Sequence, residues 1–179
     1  MVYILLEDGF EEIEALAVAD ILRRAEICVQ LVSAKNTDFV TGSHSITVKA
    51  DVKISDIAEF DMIVLPGGYP GYENLENNSD VKKLLEKAEK ADKYIAAICA
   101  APSVLGKWGY LNNKTACCYP SFENMLEGSK VTFDRVAHDG KLVTSRGAGT
   151  AHDFAFKIVE VLKDAETAKK IEDAMLYTI

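Results

Sequence analysis

Short runs of almost unbroken apolar character recur along this chain: VYILL (2–6), CVQLVSA (28–34), MIVLP (62–66), YIAAI (94–98), KTACC (114–118) and KLVTS (141–145). A strand with one wet face alternates apolar and polar residues, whereas a strand covered on both faces has no reason to alternate. Helix-length segments separate most of these runs, among them EEIEALAVADILRRA (11–25), a polar helix over 79–91 and GTAHDFAFKIVEVLK (149–163). Buried strands spaced by helices predict an α/β protein with a mostly parallel sheet between two helical layers. Two lesser features interrupt the pattern, a hairpin around Gly42 (FVTG, SITVKA) and a short helical piece, ISDIAEF. At 179 residues, with no linker, repeat or low-complexity tract, the chain suits a single domain over 1–179.

In such sheets ligands sit beyond the carboxyl ends of the strands. That rule draws together Glu7-Asp8-Gly9, Pro66-Gly67-Gly68, Cys99 and Tyr119-Pro120, each of which ends an apolar run. Cys99 stands where a strand gives way to a helix, flanked by Ala96, Ala97, Ala100 and Ala101. Small neighbours permit the sharp turn of a nucleophile elbow, and a helix start lowers a thiol pKa and binds an oxyanion. A buried, inert cysteine fits the same position, and the position alone does not separate the two. The glycine pair in LPGGYPG (65–71) lets backbone N–H groups face a ligand. Beside an elbow, Gly67, Gly68 and Ala100 become the expected oxyanion-binding set.

The opening of the first long helix, EDGFEEIE, is acidic, which suits a helix N-terminus. Glu11 and Glu12 are expected to do no more than that. Glu14 lies a turn deeper and aligns with Val18, Ile21 and Ala25 on the apolar edge, where loss of water would raise its pKa and keep it protonated. Glu11 aligns equally well with Ala15, Val18 and Leu22, so helical spacing does not choose between the two carboxylates.

Charge narrows the function classes. Twenty basic residues against 28 acidic ones give a formal net charge of −8, with no basic cluster, which argues against nucleic-acid binding. No run approaches the roughly 18 apolar residues of a membrane span, and VYILL is too short for a signal segment, so a cytoplasmic protein is expected. Cys28, Cys99, Cys117 and Cys118, with His44, His138 and His152, fit neither a CxxC pair nor a zinc ribbon, and no metal or other cofactor is expected. Adjacent Cys117 and Cys118 on a strand would point to opposite faces, a poor arrangement for resolving thiols.

Taken in order, EDGFEEIEALAVADILRRA, DMIVLPGG, IAAICAAP and LVTSRGAGTAHDFAFKIVEVL resemble the ThiJ/PfpI superfamily, and within it the parkinsonism-associated deglycase branch. The resemblance runs from residue 2 to about 163. It implies a flavodoxin-like three-layer sandwich, a homodimer with the first helix and the Gly42 hairpin at its interface and His44 near the neighbouring pocket, a reactive Cys99 with Glu14 protonated against it, and an oxyanion pocket at Gly68 and Ala100. Two positions depart from the branch. Tyr119 in CCYP stands where a histidine usually precedes the proline, and a phenol is a poor base at neutral pH. Glu26 replaces the usual glycine at the end of the first helix and is expected to take a positive φ.

The implied activity is cofactor-free chemistry on α-oxoaldehydes such as methylglyoxal and on their early glycation adducts, with Cys99 as nucleophile, Glu14 as proton carrier and Tyr119 orienting the substrate. The alternative is an oxidative-stress sensor or chaperone working through oxidation of Cys99 to a sulfinate. A cysteine peptidase is disfavoured because Ala100, not histidine, follows Cys99, and AHDFA (151–155) lacks the His-x-Glu of amidotransferases.

Overall fold

A computed structural model describes residues 1–177 of the chain; the single-domain expectation for 178–179 lies outside the described residues. Strand β1 (Val2–Leu6) is wholly buried and sends alternate side chains to opposite layers. Val2, Ile4 and Leu6 pack with one core cluster and Tyr3 and Leu5 with the other, which is why the run carries no polar alternation. Helix α1 (Glu12–Arg24) follows, with Ala15, Val18, Ile21 and Leu22 buried on its inner face. It ends at Ala25, and Glu26 takes φ 54, the positive value expected where the family pattern has glycine.

The chain then forms β2 (Val29–Ser33), the hairpin β3 (Phe39–Thr41) and β4 (Thr47–Lys49), the short β5 (Val52–Lys53) and the buried β6 (Met62–Leu65). Residues 54–56, inside the expected helical piece, make one 3-10 turn. Two helices come next, α2 (Gly71–Glu76) and α3 (Ser79–Lys90), of which the first was not expected. The Asn78 side chain caps α3 by accepting from the amides of Asp80 and Val81, and Val81, Leu84, Leu85 and Ala88 turn inward at helical spacing. Burying each of those leucines contributes about 1.5–3 kcal/mol before entropy is subtracted.

Strand β7 (Tyr94–Ile98) leads through Cys99 to the six-residue α4 (Pro102–Lys107). The expected strand 114–118 is cut to β8 (Thr115–Ala116), which pairs with β9 (Lys130–Val131) outside the central sheet. Beyond Ala116 the Cys117 amide bonds to the Thr144 hydroxyl at 3.0 Å instead of continuing a ladder. Strands β10 (Val136–Asp139) and β11 (Leu142–Ser145) form an antiparallel pair. A 3-10 turn (148–150) then opens α5 (Ala151–Leu162), and α6 (Ala165–Ala174) is capped by the Asp164 carboxylate accepting from the Thr167 amide. Neither β10 nor α6 was expected from the sequence.

The central sheet has the order β10-β11-β7-β6-β1-β2-β5, parallel except for the β10 edge. One core cluster joins it to α1, α5 and α6, and the other joins it to α2, α3 and α4. This is the expected flavodoxin-like three-layer sandwich. The carboxyl ends of β1, β6, β7 and β11, four adjacent or near-adjacent strands, deliver Glu7–Gly9, Pro66–Gly68, Cys99 and Arg146–Gly147 to one edge. No helix among the described residues is long and apolar enough to cross a membrane.

Candidate active site at the strand ends

Cys99 adopts φ 65, a left-handed conformation that costs a non-glycine residue on the order of 1–3 kcal/mol. Its backbone is pinned on both sides: the Cys99 N–H donates to Ser145 O at 3.0 Å, and its carbonyl accepts from the Tyr119 N–H at 2.8 Å. The strand is thus forced to turn before α4 begins, with the Cys99 side chain partly buried at the turn. This is the elbow that the small flanking residues suggested.

Glu14 reaches the same point from α1. Only 1% of the residue is exposed; its Oε2 accepts from the Gly67 N–H at 2.8 Å, and its side chain also bonds to Cys99. Its Oε1 is buried without a partner among the described residues. Burial, only partly offset by the Gly67 and Cys99 hydrogen bonds, pushes the carboxyl up to about 7. Near neutrality both its forms are therefore populated, rather than the protonated form alone as expected. The helical spacing left Glu11 equally eligible. The fold decides against it, since the Glu11 carboxylate turns to the Ser43 hydroxyl at 3.2 Å.

The expected lowering of the Cys99 pKa is corrected. Burial and the negative charge of Glu14 push the thiol up, opposed by N–H bonds from Ala100 and Gly68. The helix assumed to lower it begins three residues later and is only six residues long, so little dipole acts at the sulfur. Forming a thiolate here therefore calls for Glu14 to hold the proton.

The expected oxyanion set also divides. The Gly67 N–H is committed to Glu14 and its carbonyl to the Glu11 N–H at 2.9 Å, so Gly67 positions the acid and does not serve as a free donor. Gly68 (φ 91) and Ala100 are the two residues whose amides face the sulfur. A methyl group at Gly67 would lie 2.7 Å from Cys99 Cβ and 2.9 Å from Glu14 Oε2, which explains glycine there.

Tyr119 is half exposed beside this pair. Its ring packs edge-on to Phe122 at 6.4 Å between centroids and lies over Gly147, where a methyl group would come within 3.3 Å of the ring and 4.0 Å of Glu14 Oε1. Gly147 is thus a further wall of the site, one the sequence reading did not single out although it opens the GAG tract after a strand. Of the other thiols, Cys28 is exposed; Cys117 is buried against Thr144 O at 3.3 Å, and Cys118 is buried and pushed up to about 12.

Glu12 overturns the expectation that it merely suits a helix start. Its Oε1 accepts from the His44 N–H at 2.8 Å and the Ile46 N–H, and its Oε2 meets His44 Nδ1 at 3.0 Å, tying the β3–β4 hairpin to α1. Glu11, Glu12 and His44 bring candidate metal-ligand atoms within 4.8 Å of one another, but these atoms already serve the hairpin's hydrogen bonds. Among the described residues none of the three histidines bonds to Cys99. His44 faces Glu12, His138 Nε2 meets Gly140 O at 2.9 Å, and His152 stacks on Tyr177.

Residues 1–161 match the family model described as the DJ-1/PfpI family. The chain is 40% identical over 172 residues to Protein DJ-1 homolog B of Arabidopsis thaliana, covering 94% of this chain but spanning only 39% of that relative. It is 35% identical to Glutathione-independent glyoxalase DJR-1.2 of Caenorhabditis elegans, with 90% of this chain and 87% of that protein covered. The solved structure of oxidized DJ-1 from Toxoplasma gondii superposes with a TM-score of 0.95 at 38% identity, covering 99% and 98% of the two chains.

Proposed function

The chain belongs to the DJ-1/PfpI family, and from that premise we propose that it is a cofactor-independent glyoxalase that also removes early α-oxoaldehyde adducts. The observation that carries this reading is the single buried carboxyl that both contacts the nucleophile and keeps an oxygen without a partner. The ionised Glu14 takes the Cys99 proton as sulfur adds to the aldehyde carbon, and the amides of Gly68 and Ala100 receive the alkoxide. Glu14 returns its proton to that oxygen, giving a neutral hemithioacetal. It then removes the hydrogen from the former aldehyde carbon as a proton, giving an enediolate, and delivers it to the neighbouring carbonyl carbon, while the hydroxyl proton passes from the first oxygen to the second, leaving a 2-hydroxy thioester. Water cleaves the thioester to a hydroxy acid and regenerates the thiol. The name of the nematode relative supports this substrate class. The absence of a Cys99–histidine bond among the described residues weighs against a peptidase.

A redox-sensing role is the second reading, favoured by the oxidized state of the Toxoplasma relative's structure and by two amides aimed at the sulfur, which suit a sulfinate as well as an alkoxide. A homodimer through α1 and the hairpin is part of the proposal: Ile13 and Ile46 are exposed on that face, 51% and 52%, and sedimentation showing a monomer at micromolar concentration would remove it. The deciding experiment is lactate formation from methylglyoxal by the wild-type protein, Cys99→Ala and Glu14→Gln. Sustained turnover lost in both variants supports the enzyme; a wild type that is stoichiometrically oxidised by peroxide at Cys99 but forms no lactate supports the sensor.

A further inference from the structure

A hollow bounded by Tyr119 and Gly147 of the site is lined also by Phe133, Arg135, Arg146 and Gly149, with no carboxylate on its wall. That is unexpected on a chain of net charge −8. The two arginines differ. Arg135 is neutralised by Asp153, with Nε to Oδ2 at 2.7 Å, and also donates to Gly149 O. Arg146 has no carboxylate within 4.0 Å among the described residues; its Nε donates to Cys118 O at 3.4 Å and its Nη1 to Phe133 O at 3.2 Å. Of the five N–H groups of a guanidinium, those two bonds leave three to be satisfied. The group also rests on the Phe133 ring at 5.6 Å from its centroid, a stack that holds its plane while Phe133 itself stays 67% exposed.

The hollow adjoins the catalytic pair through two shared residues. It shares Tyr119 and Gly147 with that site, and the face of Gly147 looks towards both the Tyr119 ring and the unpartnered Glu14 Oε1. A cation fixed by two carbonyls and an aromatic face, uncompensated by an acid and open to a groove, is arranged to receive a planar or tetrahedral oxyanion.

We propose that Arg146 forms an anion subsite beside the thiol, so that the preferred substrates are α-oxoaldehydes carrying a phosphate or carboxylate at the end away from the aldehyde. This deepens the glyoxalase reading and rests on it for the substrate's reactive end. The reaction is unchanged; the remote anion supplies binding and orientation. The Phe133 ring covers one face of the guanidinium and shields that side of the ion pair from water.

The test compares kcat/KM for methylglyoxal, 3-phosphooxy-2-oxopropanal and 4,5-dioxopentanoate in the wild-type protein, Arg146→Lys and Arg146→Gln. The wild type should prefer either charged aldehyde by at least about tenfold, the size of one charge-assisted hydrogen-bonded contact. Arg146→Gln should bring the ratio near unity and Arg146→Lys should keep part of it; the two charged aldehydes show which anion fits. A wild-type ratio near unity, or a ratio that survives in a folded Arg146→Gln, overturns the subsite. Should Arg146→Gln fail to fold, capture of Cys99 by iodoacetamide in the wild type decides. Inorganic phosphate should slow it where sodium chloride of equal ionic strength does not, and equal effects of the two salts refute the subsite. That arm needs no turnover, so a wild type inert towards every aldehyde would sink the glyoxalase reading and leave the phosphate result to judge the hollow.

Discussion

Replacing Glu14 by glutamine should change how stability depends on pH more than it changes the fold. The native carboxyl is 1% exposed and pushed from its ordinary 4.5 up to about 7, chiefly by burial. In the unfolded chain the same group ionises near 4.5. Below that value both states are protonated and nothing is lost; between 4.5 and 7 the unfolded state releases a proton that the folded state keeps, so folding becomes less favourable as pH rises. Above pH 7 the loss is complete. The shift of 7 − 4.5 multiplied by ~1.36 kcal/mol per pH unit gives about 3 kcal/mol. Glutamine is close in shape, can still accept from the Gly67 N–H and does not titrate. Urea unfolding at pH 4.5 and pH 8 should therefore show the stability of Glu14→Gln relative to wild type rising by about 3 kcal/mol between the two. For a chain of this length that equals a relative gain in Tm of roughly 6–12 °C. Glu7, also raised by burial, titrates in both proteins and cancels in the difference. Parallel pH profiles for the two proteins, within about 0.5 kcal/mol, would refute the claim that burial holds the Glu14 proton.

Three further outcomes are expected. Tyr119→Phe should cost up to about tenfold in methylglyoxal turnover, one hydrogen bond's worth, and Tyr119→His should gain less than ~100-fold; a larger gain would show that a base is missing and that Glu14 does not suffice. Gly67→Ala drives a methyl group to 2.7 Å from Cys99 Cβ and 2.9 Å from Glu14 Oε2, and should lose roughly 1–3 kcal/mol of stability along with most turnover; normal kinetics in that variant would mean the strand end has room to move. Glu26→Gly relieves φ 54 at the end of α1 and should stabilise by up to about 1 kcal/mol in urea unfolding, with no change expected in Cys99 labelling.

Much of the fold was legible because burial on both faces leaves a direct mark on sequence. VYILL, MIVLP and YIAAI had to be central strands, since no other position in a domain accepts five apolar residues in a row while extended, and a parallel sheet then dictated that their carboxyl ends meet. Local chemistry also carried Cys99 to its elbow, whereas the positive φ of Glu26 was expected only from the family resemblance. What the sequence could not decide were matters of distance. Helical spacing made Glu11 and Glu14 equivalent, and only the approach of the β6 loop to α1 gave one of them the Gly67 amide and the thiol. It could not show that Gly67 holds the acid while Gly68 faces the sulfur, because adjacent glycines are identical until the backbone is placed. KTACC looked like a further strand on composition, yet its last residues turn under Thr144. Sequence determined which residues had to be buried and so which strand ends would converge; tertiary structure alone set how much water each carboxyl and thiol lost, and pKa follows from that loss.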